Sequence, residues 1–364
     1  PASPIRKLAP LADAAKQRGV HVFHLNIGQP DLPTPQVAID AIRNIDRKVL
    51  EYSPSAGYRS YREKLVGYYA KFNINLTADD IIITSGGSEA VLFSFLSCLN
   101  PGDEIIVPEP AYANYMAFAI SAGAVIKTLP SSIEEGFALP SIEKFESLIT
   151  PKTKAILICN PNNPTGQLLG REYLRELLEH CRQQRIIVVL DECFIEFCET
   201  DREQPRSLLG KIDQYENLLL VRAFTKSFAM PGVRLGYLVC SNEGLREKIR
   251  RQLPEWNLSV FAQRAGIVCA EQAEQYLQDT VEYVKTKRAY LREGLEALGI
   301  RVVSGEADFL LLYTTQPIYD RLLAKGILIR NCENFRGLGE GYYRIAVKKQ
   351  EENEVLLREL AMGD

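Results

Sequence analysis

Lys226 is the residue of this sequence whose neighbours point most directly to covalent chemistry. It lies among small and apolar side chains and precedes Arg234 by eight residues. A lysine that is desolvated or placed near another cation loses its proton more readily, and the neutral amine can then form a Schiff base with a carbonyl group. The apolar run at residues 218–221 predicts a buried strand that leads to this lysine. An isolated lysine of this kind is usually a surface residue, so the interpretation depends on motifs elsewhere in the chain.

Asp191 follows a second apolar run, at residues 188–190. A strand that ends in an acid brings a carboxylate to the edge of a sheet, where open α/β sheets bind their ligands. A carboxylate that faces a pyridine nitrogen keeps that nitrogen protonated and turns the ring into an electron sink. Taken alone, Asp191 is more simply explained as a helix cap or an ion pair.

Two more motifs follow predicted strands. Residues 160–166, with the sequence NPNNPTG, form a turn fixed by proline and glycine and place Asn163 to hydrogen-bond a ring oxygen. Residues 84–90, with the sequence TSGGSEA, precede an apolar helix. Glycines at a helix start expose backbone N–H groups and the positive end of the helix dipole, which favours a phosphate. The sequence therefore predicts one site for a phosphate group and another for an aromatic ring.

Together and in this order, the four motifs resemble the fold-type-I pyridoxal-phosphate enzymes, specifically the class I/II aminotransferases. The resemblance covers nearly the whole chain and implies pyridoxal 5'-phosphate as cofactor, with Lys226 and Asp191 as catalytic residues. The cofactor-binding residues that it implies are Gly87, Ser88, Glu89, Tyr112, Asn163, Asp191, Phe194, Thr225, Lys226, Arg234 and Tyr52. The substrate-binding residues that it implies are Gly28, Asn163, Arg330 and Arg344.

The resemblance also implies a homodimer with shared active sites, because Tyr52 matches a family tyrosine that reaches the cofactor phosphate of the neighbouring subunit. Two positions depart from the common pattern. Phe194 stands where many members have a tyrosine that hydrogen-bonds the ring oxygen, and Ala223 stands where many have a serine. Each departure removes one hydrogen bond to the cofactor, which argues against an efficient general aspartate aminotransferase.

The alternation of short apolar strands with helical patterns between residues 80 and 239 predicts an α/β fold. The predicted architecture is a large domain with a mostly parallel seven-stranded sheet and a smaller α+β domain. A strand is expected at residues 21–27 and a long helical region at 259–298. The predicted boundaries are residues 31–256 for the large, cofactor-binding domain and residues 1–30 with 257–364 for the small domain.

Composition excludes several other classes of protein. The 364 residues are 46% hydrophobic with a formal charge of −3, so there is no basic surplus for nucleic acid. No apolar run approaches the roughly 18 residues of a membrane span, and residues 1–7 lack the apolar segment of a signal peptide, so a cytoplasmic location is expected. The eight cysteines and three histidines show neither a C-x-x-C pair nor zinc-ligand spacing, so no metal site is predicted.

The two parts of the chain resemble different branches of the family. Residues 25–166 are similar to aspartate-type aminotransferases, and the remainder is similar to threonine-phosphate decarboxylases and histidinol-phosphate aminotransferases. A natural mosaic and a joined sequence both explain the change, which falls at residues 160–166. Arg330 and Arg344 could clamp the phosphate dianion of a phosphorylated amine. Three functions therefore stay open: an aminotransferase acting on amino acids, an enzyme for phosphorylated substrates such as a decarboxylase, and a non-catalytic relative.

Overall fold

The computed structural model describes residues 4–29, 31–198 and 206–362. The first three residues of the predicted N-terminal arm lie outside the described residues, as does Pro30 at the predicted domain boundary. Within the described part of the chain, no helix combines the length and the hydrophobicity that a transmembrane span requires.

Helices and short strands alternate along most of the chain. The helices are α1 Pro4–Gln17, α2 Gln36–Arg43, α3 Arg59–Ala70, α4 Gly87–Cys98, α5 Ala113–Ser121, α6 Ile142–Glu146, α7 Arg171–Gln183, α8 Phe224–Ser227, α9 Glu243–Gln252, α10 Val260–Gln272, α11 Glu274–Ala297, α12 Ile318–Ala324 and α13 Gln350–Ala361. The strands are β1 Phe23–His24, β2 Ile81–Thr84, β3 Glu104–Glu109, β4 Val125–Pro130, β5 Thr153–Cys159, β6 Ile187–Asp191, β7 Leu218–Ala223, β8 Gly236–Val239, β9 Arg301–Val302, β10 Phe309–Tyr313, β11 Ile327–Leu328, β12 Arg330–Asn331 and β13 Tyr342–Ala346.

A seven-stranded sheet forms the centre of the molecule, in the order β2-β8-β7-β6-β5-β3-β4. Strand β8 runs antiparallel to both of its neighbours, whereas the pairs from β7 to β4 are parallel. The inner strands β5 to β8 are largely apolar and buried, as expected where helices cover both faces of a sheet, whereas the edge strand β4 carries Lys127 and Thr128. The predicted α/β fold with a mostly parallel sheet is thus confirmed.

Successive residues of the central strands pack into two different cores. Val188 and Leu218 lie in a core built with α2, α3, α7 and α10, whereas Val189 and Leu219 lie in a core built with α4, α5 and α9. This alternation follows from the two-residue period of a strand, which points neighbouring side chains to opposite faces. Both cores hold the central strands rigidly, and these strands position the candidate site.

A second sheet, in the order β12-β13-β10-β9, is antiparallel and has four strands. Leu310 and Ile345 of this sheet are buried against α11, α12 and α13, in a core separate from those of the large sheet. Strands β1 and β11 form a short parallel pair beside it. The domain limits at residues 30 and 256 stay a prediction.

Three elements differ from the sequence expectation. The strand expected at 21–27 is reduced to the two residues of β1, because β11 offers only two residues for pairing. The helical region at 259–298 is two helices, since Ala273 leaves helical geometry with φ −103° and ψ 25°. Helix α9 was missed because only two of its ten residues, Leu245 and Ile249, are buried, so its apolar period is faint.

Candidate active site

The strands that end at one edge of the large sheet carry the predicted chemistry. The loop after β2 contains residues 85–86 and leads into α4, and the turn after β5 contains Asn163. Strand β6 ends at Asp191, and β7 is followed directly by the short helix α8 that holds Lys226. Because parallel strands present their carboxyl ends at the same edge, these residues meet although they are far apart in the sequence.

A cavity of about 290 Å³ opens at this edge. It is lined by Asn26, Ile27, Gly28, Gly87, Ser88, Val91, Tyr112, Tyr115, Phe118, Asn163, Asp191, Cys193, Phe194, Ala223, Thr225, Lys226, Arg234, Phe309 and Arg344. The cavity therefore gathers most of the residues that the sequence predicted, including Arg344 from the small sheet.

Lys226 lies on the floor of the cavity, where its Nζ donates a hydrogen bond to the carbonyl oxygen of Gly28 at 2.5 Å. The ring centroid of Phe194 is 5.8 Å from the same nitrogen. Burial lowers the pKa of Lys226, Arg344 adds to that effect, and the carboxylate of Asp308 opposes it. The structure thus makes the neutral, nucleophilic form of this amine more accessible than it is in water.

Asp191 is held at both carboxylate oxygens. The hydroxyl group of Tyr115 donates to Oδ2 at 2.7 Å, and the backbone N–H of Cys193 donates to Oδ1 at 3.0 Å. Only 8% of Asp191 is exposed. A carboxylate with two fixed donors keeps one orientation, which is what pairing with a ring nitrogen requires.

The loop before α4 packs tightly against Arg234. A Cβ atom on Gly86, which has φ +86°, would lie 2.5 Å from Nη2 of Arg234. A Cβ on Gly87 would lie 2.6 Å from the sulfur of Cys193. A side chain at either position would displace one of these neighbours, and a residue other than glycine at position 86 would also be strained at φ +86°. The start of the twelve-residue helix α4 therefore lies beside the guanidinium of Arg234, and this glycine cradle suits a phosphate because the first N–H groups of a helix have no helical partners.

Arg344 reaches the cavity from β13. Its Nη1 donates to Oδ1 of Asn163 at 2.6 Å, and its Nη2 donates to the carbonyl oxygen of Asn26 at 3.3 Å. The guanidinium carbon lies 5.1 Å from the ring centroid of Phe309. Arg344 is fixed by these contacts and presents a cation on the wall of the cavity.

The family described as aminotransferase class I and II matches residues 20–360. The chain belongs to this family. It is 29% identical to a histidinol-phosphate aminotransferase of Methanosphaera stadtmanae, over 89% of this chain and 84% of the relative. It is 31% identical to a threonine-phosphate decarboxylase of Salmonella typhimurium, over 93% of this chain and 89% of the relative. The solved aspartate aminotransferase of Thermotoga maritima superimposes with a TM-score of 0.88 at 26% identity, covering 100% of this chain and 97% of the other.

Members of the class I/II aminotransferase family are pyridoxal-phosphate enzymes, and pyridoxal phosphate is the cofactor of this chain. The donor set of the cavity fits that molecule: an amine for its aldehyde, a fixed carboxylate for its ring nitrogen and a glycine cradle with Arg234 for its phosphate. The volume of about 290 Å³ is near the lower end of the usual range for ligand pockets.

Arg330 does not line the cavity, although the sequence predicted that it binds substrate together with Arg344. The backbones of the two arginines lie directly opposite each other in the antiparallel pair of β12 and β13. The guanidinium of Arg330 nevertheless donates to the carbonyl oxygen of Asn331 and, at 2.7 Å, to Oδ1 of Asn334, and it lies over the ring of Phe335. In this structure the two guanidinium groups therefore do not form a clamp.

Glu89 and Tyr52 also lie outside the cavity. The carboxylate of Glu89 accepts hydrogen bonds from the backbone N–H of Ser85 and from the side chain of Asn257, so it stabilises the glycine loop from behind. Tyr52 is 77% exposed and stacks on Trp256 with ring centroids 4.8 Å apart. Its ring thus lies on the surface rather than in the site of its own chain.

Several residues at the site were missed by the sequence interpretation, and four of them bear on the chemistry. Tyr115 follows Tyr112, the N-cap residue of α5, by three residues, and the two rings meet edge to face with centroids 5.5 Å apart. Cys193 adjoins Asp191, and Phe309 begins a buried strand. Asp308 immediately precedes that strand, whereas Asp191 ends one, so the signal of an acid at the carboxyl end of an apolar run did not find Asp308.

Proposed function

We propose that this protein is a pyridoxal-phosphate-dependent aminotransferase that moves an amino group between an amino acid and a 2-oxo acid, with Lys226 as the covalent attachment residue. One observation carries the proposal. The amine of Lys226 lies in the same cavity as the fixed carboxylate of Asp191 and the fixed guanidinium of Arg344. Amine, carboxylate and guanidinium are the groups needed to attach the cofactor, to tune its ring and to orient a substrate.

When bound, pyridoxal phosphate supplies an aldehyde that condenses with amines and a ring that withdraws electrons from the substrate α-carbon. In the proposal, Asp191 keeps the ring nitrogen protonated and Asn163 donates to the ring oxygen. The backbone N–H groups of residues 87–88, with Thr225 and Arg234, bind the phosphate. Tyr112 covers one side of the ring site and Phe194 lies beside Lys226.

In the same proposal, Lys226 moves the proton. Its amine would be released when the amino group of the substrate takes its place on the cofactor. Because burial lowers the pKa of Lys226, the freed amine would be unprotonated, and its Nζ would accept the proton of the α-carbon and later donate it to the cofactor. Arg344 binds the substrate carboxylate with Gly28 alongside, which fixes the bond that is broken relative to the ring. The apolar residues Phe194 and Phe309 exclude water from the amine.

We further propose a homodimer in which Tyr52 contributes to the site of the partner. Tyr52 is far too exposed to serve the cavity of its own chain, and it stacks on Trp256, which is also exposed. Val49 and Leu50 are exposed in the same segment. Exposed apolar side chains close together favour an interface, and two-fold dimers are the commonest soluble oligomers.

Action on a phosphorylated substrate, as a decarboxylase or a histidinol-phosphate aminotransferase, is the second candidate. The names of two relatives support it, whereas the position of Arg330 speaks against a two-arginine phosphate clamp. Product analysis with an amino donor and 2-oxoglutarate tests both candidates. A new 2-oxo acid supports transamination, and carbon dioxide supports decarboxylation. A cofactor band that no amino donor shifts would favour a non-catalytic relative.

A further inference from the structure

Asp308 is a buried carboxylate directly behind the cavity that the proposed mechanism does not use. It is 2% exposed, and its Oδ1 has no hydrogen-bond partner among the described residues. Buried carboxylates are normally paired or hydrogen-bonded, and each exception requires an explanation. Burial raises the pKa of Asp308 to about 6, so the group is still an anion at neutral pH.

The carboxylate lies close to the substrate end of the cavity because Gly28 has no side chain. A Cβ atom on Gly28 would be 3.3 Å from Oδ1 and 3.8 Å from Oδ2 of Asp308. The main chain of Gly28 lines the cavity and accepts the hydrogen bond of Lys226. The carboxylate of Asp308 therefore packs against Gly28, a residue of the cavity lining.

Four cations face Asp308, and each donates its hydrogen bonds elsewhere. They are Lys226 on α8, Arg344 on β13, Lys348 after β13 and Arg288 on α11. Lys226 bonds Gly28, Arg344 bonds Asn163 and Asn26, Lys348 bonds Gln29, and Arg288 bonds the carbonyl groups of Glu306 and Ala307. Asp308 thus acts on Lys226 and Arg344 through its field rather than through a contact.

The charges that line the cavity limit what can bind at Arg344. If the cofactor occupies Arg234 and Lys226, then Arg344 is the remaining cation of the described cavity lining that can meet a substrate anion. The negative charge of Asp308 lowers the positive electrostatic potential that Arg344 produces in the cavity. Because Coulomb energy scales with ligand charge, the negative charge of Asp308 weakens the binding of a dianion by twice the free energy by which it weakens the binding of a monoanion.

We propose that Asp308 is a specificity-determining residue whose buried carboxylate, packed against Gly28, weakens the binding of dianions such as a phosphate group at Arg344 more than it weakens the binding of monoanions. This inference rests on the proposed function, because it requires the cofactor phosphate to occupy the Arg234 cradle. It favours substrates that present a carboxylate to Arg344 over substrates that present a phosphate there.

The test compares acetate, a monoanion, with sulfate, a dianion, on the cofactor-loaded protein at pH 8. Dissociation constants are measured from the anion-induced change in the visible absorbance of the bound cofactor and, independently, from calorimetry. Asp308→Asn should tighten acetate binding by about 3-fold and sulfate binding by about 10-fold, since removal of one unit charge acts twice on a dianion. Asp308→Glu keeps the charge and should keep the wild-type ratio.

Asp40→Asn is the matched control, because it removes the same charge from an exposed position on α2. It should leave both constants unchanged. The inference is overturned if Asp308→Asn shifts acetate and sulfate by the same factor or weakens both, because either result would indicate a structural role only. If Asp308→Asn fails to fold, the wild-type protein is tested instead. The affinity for sulfate should rise relative to the affinity for acetate as the pH falls through about 6 and Asp308 takes up a proton, and a constant ratio of the two affinities overturns the inference.

Failure of the proposed function gives a different result in the same preparation. Borohydride reduction should attach the cofactor to Lys226 in the wild type and in Asp308→Asn. No adduct at Lys226 contradicts the proposed function. An adduct at Lys226 with an unchanged ratio of the two anion constants contradicts only the role of Asp308.

Discussion

Arg344 and Asn163 are 181 residues apart in the chain and are joined by a hydrogen bond of 2.6 Å. The bond connects a strand of the small sheet to a turn that follows a strand of the large sheet. The residue proposed to bind the substrate carboxylate and the residue proposed to bind the ring oxygen therefore fix each other. In the proposed mechanism, this contact would couple the position of the substrate to that of the cofactor.

Arg344→Ala should reduce kcat/KM for every amino acid substrate by about one to two decades, the value of a charge-assisted hydrogen bond of roughly 1.5–3 kcal/mol. Steady-state kinetics with several amino donors measures the effect. Arg330→Ala is the comparison, because Arg330 is also a buried arginine of the small sheet. We expect it to leave the ratio of kcat/KM for phosphorylated and plain substrates unchanged. A selective loss for phosphorylated substrates would restore the two-arginine clamp.

Lys226→Ala should abolish turnover and the covalent cofactor adduct that borohydride traps, because no other amine of the described cavity lining can attach the aldehyde. Peptide mapping of the reduced protein identifies the attachment residue. Lys348→Ala is the control, since Lys348 is a buried lysine whose Nζ bonds Gln29 instead of lining the cavity. Labelling of a lysine other than Lys226 contradicts the central assignment.

Asp191→Ala should lower kcat by several orders of magnitude, because a neutral pyridine ring withdraws electrons poorly. Asp191→Glu keeps a carboxylate and should retain more activity. Tyr115→Phe removes one hydrogen bond to the carboxylate of Asp191 and should cost about one to two decades, the value of roughly 1.5–3 kcal/mol for a hydrogen bond to a charged group. Pre-steady-state absorbance changes after addition of an amino donor measure all three. Equal rates in wild type and Asp191→Ala would exclude the ring-nitrogen role.

Mixing two inactive variants tests whether active sites are shared between subunits. Tyr52→Ala and Lys226→Ala homodimers should each be impaired, and a mixture should regain part of the activity, because a mixed dimer contains one intact site. Sedimentation establishes the dimer independently. Rescue must be absent when Asp191→Ala is mixed with Lys226→Ala, since both residues are expected in the same subunit's half of the site. A fully active monomer would contradict the proposal.

Asp308→Asn should stabilise the protein at neutral pH. Burial raises the pKa of Asp308 from 3.8 to about 6, so the folded state holds its proton to higher pH than the unfolded state does. Its contribution to stability is therefore lost as pH rises from about 4 to 6, a change on the order of 3 kcal/mol. Urea unfolding should show the variant more stable than wild type at pH 7 and equally stable near pH 4. A pH-independent difference would contradict this charge effect.

The motifs around Lys226, Asp191 and Asn163 could be predicted because each follows a buried strand, and strand ends of a parallel sheet converge. Arg330 could not be separated from Arg344 in this way. The two are paired across neighbouring strands, but the side chain of Asn334 holds one guanidinium away from the cavity. That outcome depends on a loop conformation and leaves no periodic pattern in the sequence.

The antiparallel direction of β8 and the burial of Asp308 without a partner for its Oδ1 could also not be predicted from the sequence. The sequence of a four-residue buried strand does not indicate whether the strand runs parallel or antiparallel to its neighbours. Its direction depends on how the chain crosses the sheet. Whether a carboxylate has a partner depends on residues from several distant segments. Long-range geometry decides both features, whereas the motifs are local.

Trp256, which stacks on Tyr52, gives the protein an intrinsic fluorescent probe. Trp256 is the single tryptophan of the chain and is 54% exposed. Its fluorescence therefore reports one defined point of the surface, without a label and without background from other indoles. Its emission shifts to shorter wavelength whenever water is displaced from the ring. If the proposed dimer interface covers Trp256, dilution that separates the subunits should therefore shift the emission to longer wavelength.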